Sequence, residues 1–222
     1  MFPSDFEIID ISQPVNSRTA CFPGDVPFSK KLTVSHHESN IINLTAMTTS
    51  PHVGTHADAV SHIKGSIEEV ATNIGAAPLE PYVGACLVVD VAPLTSGMIT
   101  AEMLRPHIGE AMASDIGVKR ILIKTLEVID YEKWQNNYAY LSVGAIKWLN
   151  SLGTILVGID TPSVDQIDSK ELSTHHSLDE RHMYWLENLD LTRVESGPYF
   201  LVAAPLKFME LEASPLRAIL LR

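Results

Sequence analysis

Cysteine is nearly absent from this 222-residue chain: Cys21 and Cys86 are the only two. They stand far apart and neither belongs to a CxxC pair, which argues against a disulfide framework or a zinc knuckle. Two unpaired thiols and seven methionines suit a reducing compartment. Positive charge is also scarce. Lys and Arg number 16 against 27 Asp and Glu, a net charge of −11. Such a surface disfavours nucleic acid and anionic membrane as partners. No run approaches the ~18 apolar residues of a membrane span. The N-terminal MFPSDFEIIDIS lacks a basic region and a long apolar core, so it does not read as a signal peptide, and the expected location is the cytoplasm. Repeats, low-complexity tracts and linker-like stretches are lacking as well. The expectation is one domain over residues 1–222, long enough for a full hydrophobic core.

What is present is an alternation of strand and helix patterns. Strand-like runs occur at 6–12, 41–49, 86–92, 120–125, 154–160 and 199–206. Two of them, CLVVDV and TILVGID, are nearly continuous in apolar residues, as expected of strands covered on both faces. TAEMLRPHI reads as a helix with Thr100 as N-cap and Glu102 in its first turn. SVGAIKWLNSLG reads as another, capped by Ser142, with Val143, Ile146 and Leu149 on one side and Gly153 as the stop. A further helix is expected to start near Thr174. The mixture points to an α/β or α+β domain.

The densest chemistry lies in SPHVGTHADAVSHIKG, residues 50–65. His52, His56, Asp58 and His62 all stand at even positions, and in an extended chain they share one face. A straight strand still holds His52 and His56 about 13 Å apart, at roughly 3.3 Å per residue. Ligands of one ion must converge to about 2 Å from it, so the backbone has to bend, and Gly54 lies midway. Ala57 and Ala59 leave room for close approach. Imidazole plus carboxylate is the donor set of zinc, manganese or iron(II). The competing reading is a set of surface or satisfied core histidines.

Downstream, His175 and Glu187 lie twelve residues apart. On one helix they sit some 18 Å apart along the axis. They meet at one ion only if His175 precedes the helix and the chain folds back. His176 and His182 read as an exposed helical face, and His36, His37 and His107 as surface residues.

HVGTHADAVSH resembles the HxGTHxDxPxH signature of the cyclase-like metal hydrolases. Within them the chain is similar to the bacterial kynurenine formamidase family. FPGDVPF (22–28), GIDTPSVDQIDSKELSTHH (158–176), LENLDL (186–191) and APLKFMELEASPLRAIL (204–220) carry that likeness along most of the chain. The resemblance implies a swivelling β/β/α single domain that assembles as a homodimer or larger oligomer. It implies one or two divalent ions per subunit, usually zinc, with manganese also compatible. His52, His56 and Asp58 would ligate the first ion; Asp58 would bridge to a second, completed by His175 and Glu187. His62 would be the general acid/base, and Phe22 would line the substrate pocket. The implied reaction is hydrolysis of an aryl formamide, N-formyl-L-kynurenine, to L-kynurenine and formate. A relative acting on another amide or lactam such as isatin, and a non-catalytic metal-binding protein, are the alternatives. Val60 stands where the signature has proline, and Phe22 where tryptophan is usual. Proline fixes φ, so the first change bears on the turn that aims His62; the second removes an N–H donor.

Overall fold

The runs CLVVDV and TILVGID lie near the middle of one sheet, with RILIK between them. The computed structural model describes residues 7–112 and 119–222. Its strands are β1 (Ile8–Asp10), β2 (Ser29–Val34), β3 (Leu44–Thr48), β4 (His56–Asp58), β5 (Val83–Asp90), β6 (Gly97–Ile99), β7 (Arg120–Lys124), β8 (Ala139–Leu141), β9 (Leu156–Ile159), β10 (Tyr184–Glu187), β11 (Gly197–Val202), β12 (Ala213–Pro215) and β13 (Ile219–Leu221). The α-helices are α1 (His36–Ser39), α2 (Ala101–Met112), α3 (Val143–Ser151) and α4 (Ser173–Asp179).

Nine strands form a mixed sheet in the order β1-β13-β11-β5-β7-β9-β10-β4-β12. The central β5, β7, β9 and β10 run parallel to their neighbours in that series. The flanking pairs are antiparallel, and β1 near one end of the chain pairs with β13 at the other. Period-two geometry then divides the apolar runs between two faces. Leu87, Val89, Ile121, Ile123, Val157, Ile159 and Trp185 pack with residues of α2 and α3, including Leu104, Ile108, Ile146 and Leu149. The intervening Cys86, Val88, Leu122, Leu156 and Leu186 pack on the opposite face. Both faces are covered, as the continuous apolar character of these strands requires.

Helix α3 begins as read: the Ser142 hydroxyl accepts from the Ala145 N–H at 3.0 Å, and Gly153 adopts φ +87° past its end. Helix α2 starts one residue after Thr100. The 41–49 run forms β3, which pairs with β2 in a hairpin whose residues are almost all exposed. One expectation needs correction. The helix near Thr174 ends at Asp179, and Glu187 lies on a strand rather than on or beside that helix. His182, in the left-handed region at φ +54°, turns the chain, and the aromatic YWLE segment then pairs beside β9. His36, His37, His107 and His182 are exposed and His176 is half-buried. Phe6, at the start of the 6–12 run, and the N-terminal segment before it lie outside the described residues. Among the described residues, no helix is long and apolar enough to cross a membrane.

The loops that follow β7 and β9 leave the sheet at the carboxyl ends of parallel strands, where open α/β sheets form their clefts. Gly158 sits in β9 between these walls. A Cβ there would approach Leu122 Cδ2 at 2.6 Å and Leu189 Cδ1 at 2.7 Å, and both leucines are fully buried. Gly158→Ala is therefore expected to overpack the sheet and to cost about 1–3 kcal/mol, read as a lower midpoint in urea denaturation.

Candidate metal centre

Strand β4 presents His56 and Asp58 on one face, two residues apart, while Ala57 between them packs into the core on the other. The bend before this strand is at Gly54, φ +72°, where a Cβ would fall 2.6 Å from Val15 Cγ2. That bend brings His52 back over the strand: its Nδ1 is 3.1 Å from Asp58 Oδ1. His62 lies beyond the strand in a 3₁₀ turn, Val60–His62. Strand parity therefore does not place His62. The turn is closed by the His62, Ile63 and Lys64 N–H groups donating to the Ala59 and Val60 carbonyls, so it forms without the proline of the signature. The His62 ring centroid lies 4.6 Å from that of His52 and 5.8 Å from that of His175.

Glu187 reaches the cluster by sheet pairing. It lies directly opposite His56 in the antiparallel β4–β10 register, and directly opposed residues project to the same face. Its Oε2 is 3.3 Å from His56 Nε2, and its Oε1 is 3.5 Å from His175 Nε2. His175 comes from α4 rather than from before it. The helix is seven residues long and crosses from β9 to β10, so its N-terminal turn lies beside the end of β10. His175 Nε2 is 3.7 Å from Asp58 Oδ2, and His56 Nε2 is 3.4 Å from Asp58 Oδ1. The six residues His52, His56, Asp58, His62, His175 and Glu187 thus share one place. Two triads of donor atoms within 4.8 Å of one another are His52–His56–Asp58 and Asp58–His62–His175. Asp58 belongs to both.

The donor set fits a divalent ion. Among the described residues, His56 Nε2, Asp58 Oδ1 and His175 Nε2 are buried with no hydrogen-bond partner, a costly condition for polar atoms. Two donors about 2.1 Å from a tetrahedral ion lie roughly 3.4 Å apart. The His56–Asp58, His56–Glu187 and His175–Glu187 separations are 3.4, 3.3 and 3.5 Å, long for hydrogen bonds and matched to coordination. Each ring is also turned by its other nitrogen. His56 Nδ1 donates to the Gly54 carbonyl at 2.9 Å, and His175 Nδ1 donates to Asp165 Oδ2 at 2.7 Å. Both leave Nε2 to face the cluster, the usual way a ligating histidine is oriented.

Electrostatics point the same way. Burial would raise the Asp58 carboxyl, but His52 and His56 beside it hold it well below the usual range. Burial would lower His52; pairing with Asp58 and Glu212 instead carries it up to about 10. His175 is likewise raised, against burial, by Asp165, Asp58 and Glu187. Buried carboxylates thus draw positive charge onto the histidines, the charge that a divalent cation would supply. His62 departs from this pattern. The residue is exposed overall, yet desolvation, with His52 and His175 close by, moves its pKa below the ordinary value, which favours the neutral ring at neutral pH.

Supporting residues that the sequence reading did not single out complete the site. Asp165 accepts from the Thr174 and His175 N–H groups, both at 2.9 Å, at the start of α4. Trp185 Nε1 donates to Asp58 Oδ2 at 2.9 Å, and Glu212 faces His52 Nε2 at 3.2 Å. Asp165 and Glu212 lie inside the motif blocks 158–176 and 204–220; Trp185 precedes LENLDL and had no such signal.

Beside the cluster lies a cavity of about 330 Å³, lined in part by Phe22, Trp134, Tyr138, Leu126 and Ile167. Phe22 meets Trp134 edge-on, ring centroids 5.4 Å apart. The loop carrying Trp134 is tied down by Asp160, which accepts from the Thr125 N–H and hydroxyl and the Leu126 N–H at 2.6–2.9 Å. Burial pushes the Asp160 carboxyl up to about 6 even so.

A cavity with imidazoles and carboxylates clustered at one wall is the layout of a metal-dependent hydrolase, and comparison with known proteins agrees. The family described as "Putative cyclase" matches residues 9–166, and the chain belongs to this cyclase family. Among its relatives the chain is 38% identical to the kynurenine formamidase of Bordetella avium, covering 95% of this chain and 96% of that one. It is 36% identical to the kynurenine formamidase of Bacillus cytotoxicus, with 96% and 97% coverage. Within the cyclase family the chain therefore stands with the kynurenine formamidases. The fold is shared with isatin hydrolase A from Labrenzia aggregata, at TM-score 0.80 and 21% identity over 97% of this chain and 93% of that one. It is also shared with a protein from Bacillus stearothermophilus described as a "predicted metal-dependent hydrolase", at TM-score 0.77 and 23% identity over 98% and 99%.

Because His56 faces both Asp58 and Glu187, its loss breaks the centre of the cluster. His56→Ala is expected to abolish bound metal and hydrolytic activity together, measured by elemental analysis and assay of the same preparation.

Proposed function

We propose that this chain hydrolyses N-formyl-L-kynurenine to L-kynurenine and formate, as a single catalytic domain spanning its length. The observation that carries the reading is the convergence of His52, His56, Asp58, His175 and Glu187 beside an aromatic-walled cavity, in a chain 36–38% identical to kynurenine formamidases. His52, His56 and Asp58 would hold one ion, and Asp58, His175 and Glu187 a second. Zinc is the proposed metal, with manganese compatible with the same donors. When bound, a divalent ion acidifies water to supply a nucleophile and polarises the formyl oxygen.

The chain's own residues do the rest. Phe22, Trp134 and Tyr138 offer flat apolar surface for the aryl ring and exclude water from it. His62 is neutral and adjacent to the cluster, so it can take a proton from the attacking water at an imidazole nitrogen. The leaving group is an aryl amine, which departs poorly as an anion. The protonated imidazole returns its proton to that nitrogen as the C–N bond breaks. Asp165 and Glu212 hold the rings of His175 and His52 against rotation.

Cytoplasmic location and self-association complete the proposal. Cys21 and Cys86 are free thiols, in keeping with a reducing compartment. The β2–β3 hairpin exposes Leu32, Leu44 and Met47, and a lone two-stranded ribbon is marginal without something packed on it. A homodimer or larger assembly is expected in sedimentation equilibrium, with a monomer mass at all concentrations ruling it out.

For His62, proton transfer of this kind is typically worth 10²–10⁴ in rate. His62→Ala is expected to keep its metal and lose activity on N-formyl-L-kynurenine by about that factor. Loss of metal instead would make His62 a ligand, and a wild-type enzyme inactive on this substrate but active on isatin would move the assignment to a lactam hydrolase.

A further inference from the structure

An aryl formamide with an amino-acid side chain carries a carboxylate and an ammonium that the metal cluster does not address. The lining of the cavity has groups suited to both. Among the described residues lining it, Lys133 carries the only permanent positive charge, in a chain of net charge −11. Neighbouring Glu132 is paired to Arg18 at 2.7 Å, whereas no ion pair engages Lys133 among the described residues. The next residue, Trp134, also lines the cavity, and its indole N–H is buried without a hydrogen-bond partner among the described residues. A buried donor left unmet is uncommon and calls for an acceptor. A turn in which the Lys133 N–H donates to the Asp130 carbonyl at 3.3 Å sets Asp130 at the other end of the same short segment. Asp130 and Asp25 both line the cavity.

The segment is held in place. The Ala20 N–H donates to the Tyr131 carbonyl at 2.8 Å, the Tyr131 hydroxyl donates to Asp190 at 2.6 Å, and Phe22 packs edge-on against Trp134. The loop that carries Asp130, Lys133 and Trp134 is thus clamped to the loop that carries Phe22.

We propose that Lys133 and the Trp134 indole N–H form a carboxylate subsite, with Asp130 or Asp25 facing the α-ammonium, so that the enzyme selects zwitterionic amino-acid aryl formamides over uncharged ones. This rests on the aryl-formamidase reading. Lys133 touches no reacting atom; it determines specificity through binding.

Steady-state kinetics on N-formyl-L-kynurenine and on uncharged formanilide test it. In Lys133→Met, which keeps the aliphatic stem, KM for N-formyl-L-kynurenine is expected to rise and kcat/KM to fall about 10- to 100-fold, the worth of a charge-assisted hydrogen bond. kcat, bound metal and kcat/KM for formanilide are expected to stay at wild-type values, and Lys133→Arg to recover most of the loss. Trp134→Phe removes the N–H and also trims the ring that both aryl groups meet, so its loss in kcat/KM is expected to be larger for the zwitterion than for formanilide. Equal losses on both substrates in Lys133→Met, or none on N-formyl-L-kynurenine, would overturn the subsite while leaving the formamidase reading intact. Wild-type enzyme that turns over formanilide but not N-formyl-L-kynurenine would overturn both.

Discussion

Asp58 is a carboxylate with almost no access to water, and a buried charge is tolerated only when opposite charge and hydrogen bonds surround it. Three histidines and the Trp185 indole N–H crowd its two oxygens. Much of the architecture follows from satisfying this one group. Strand β4 carries it, β10 and β12 flank that strand on either side, and α4 delivers His175 from above the sheet. Glu187 adds a second buried carboxylate, which deepens the demand for positive charge. Histidine protons meet that demand in part. A divalent cation meets it better, because it replaces several separate protons with one centre that every donor can face at once.

The supporting contacts have a common logic. Asp165, the Gly54 carbonyl and Glu212 each occupy one nitrogen of a histidine, so that the other nitrogen is committed to the cluster. Asp165 has a second use. It accepts from two N–H groups at the start of α4, a helix whose preceding residue, Leu172, supplies no side-chain cap. One carboxylate therefore starts the helix and orients the histidine that the helix carries. His62 has no such partner and keeps a neutral, partly exposed ring. Within one group of imidazoles the environment thus separates residues drawn toward positive charge from one, His62, that is pushed away from it.

The polar cluster and the aromatic cavity are built by different parts of the fold. The cluster stands largely on sheet and helix, where rigid elements keep its atoms within tenths of an ångström of a coordinating arrangement. The aromatic part of the cavity wall stands on two loops clasped together at Phe22–Trp134 and Ala20–Tyr131, and the segment after β9, with Ile167, adds to it. Loops of this kind tolerate substitution at less cost to folding than the sheet that carries the cluster.

The closeness of the first triad was legible in the sequence because its residues are local: a glycine at the bend and small neighbours let His52, His56 and Asp58 approach one another. The parity that joined His62 to them does not hold, because a 3₁₀ turn carries it. The doubly covered central strands and the Ser142-capped helix were legible too, because their patterns depend on near neighbours. Other features were decided only when the chain folded. His175 and Glu187, twelve residues apart, looked incompatible with one helix, and the answer lay in a helix that stops after seven residues and a strand whose register sets Glu187 opposite His56. Sheet register is a long-range property, with no local signature to announce that residue 187 pairs with residue 56. Trp185, Glu212 and Lys133 stayed hidden for the same reason: each gains its meaning from a partner or a cavity brought to it from far along the chain.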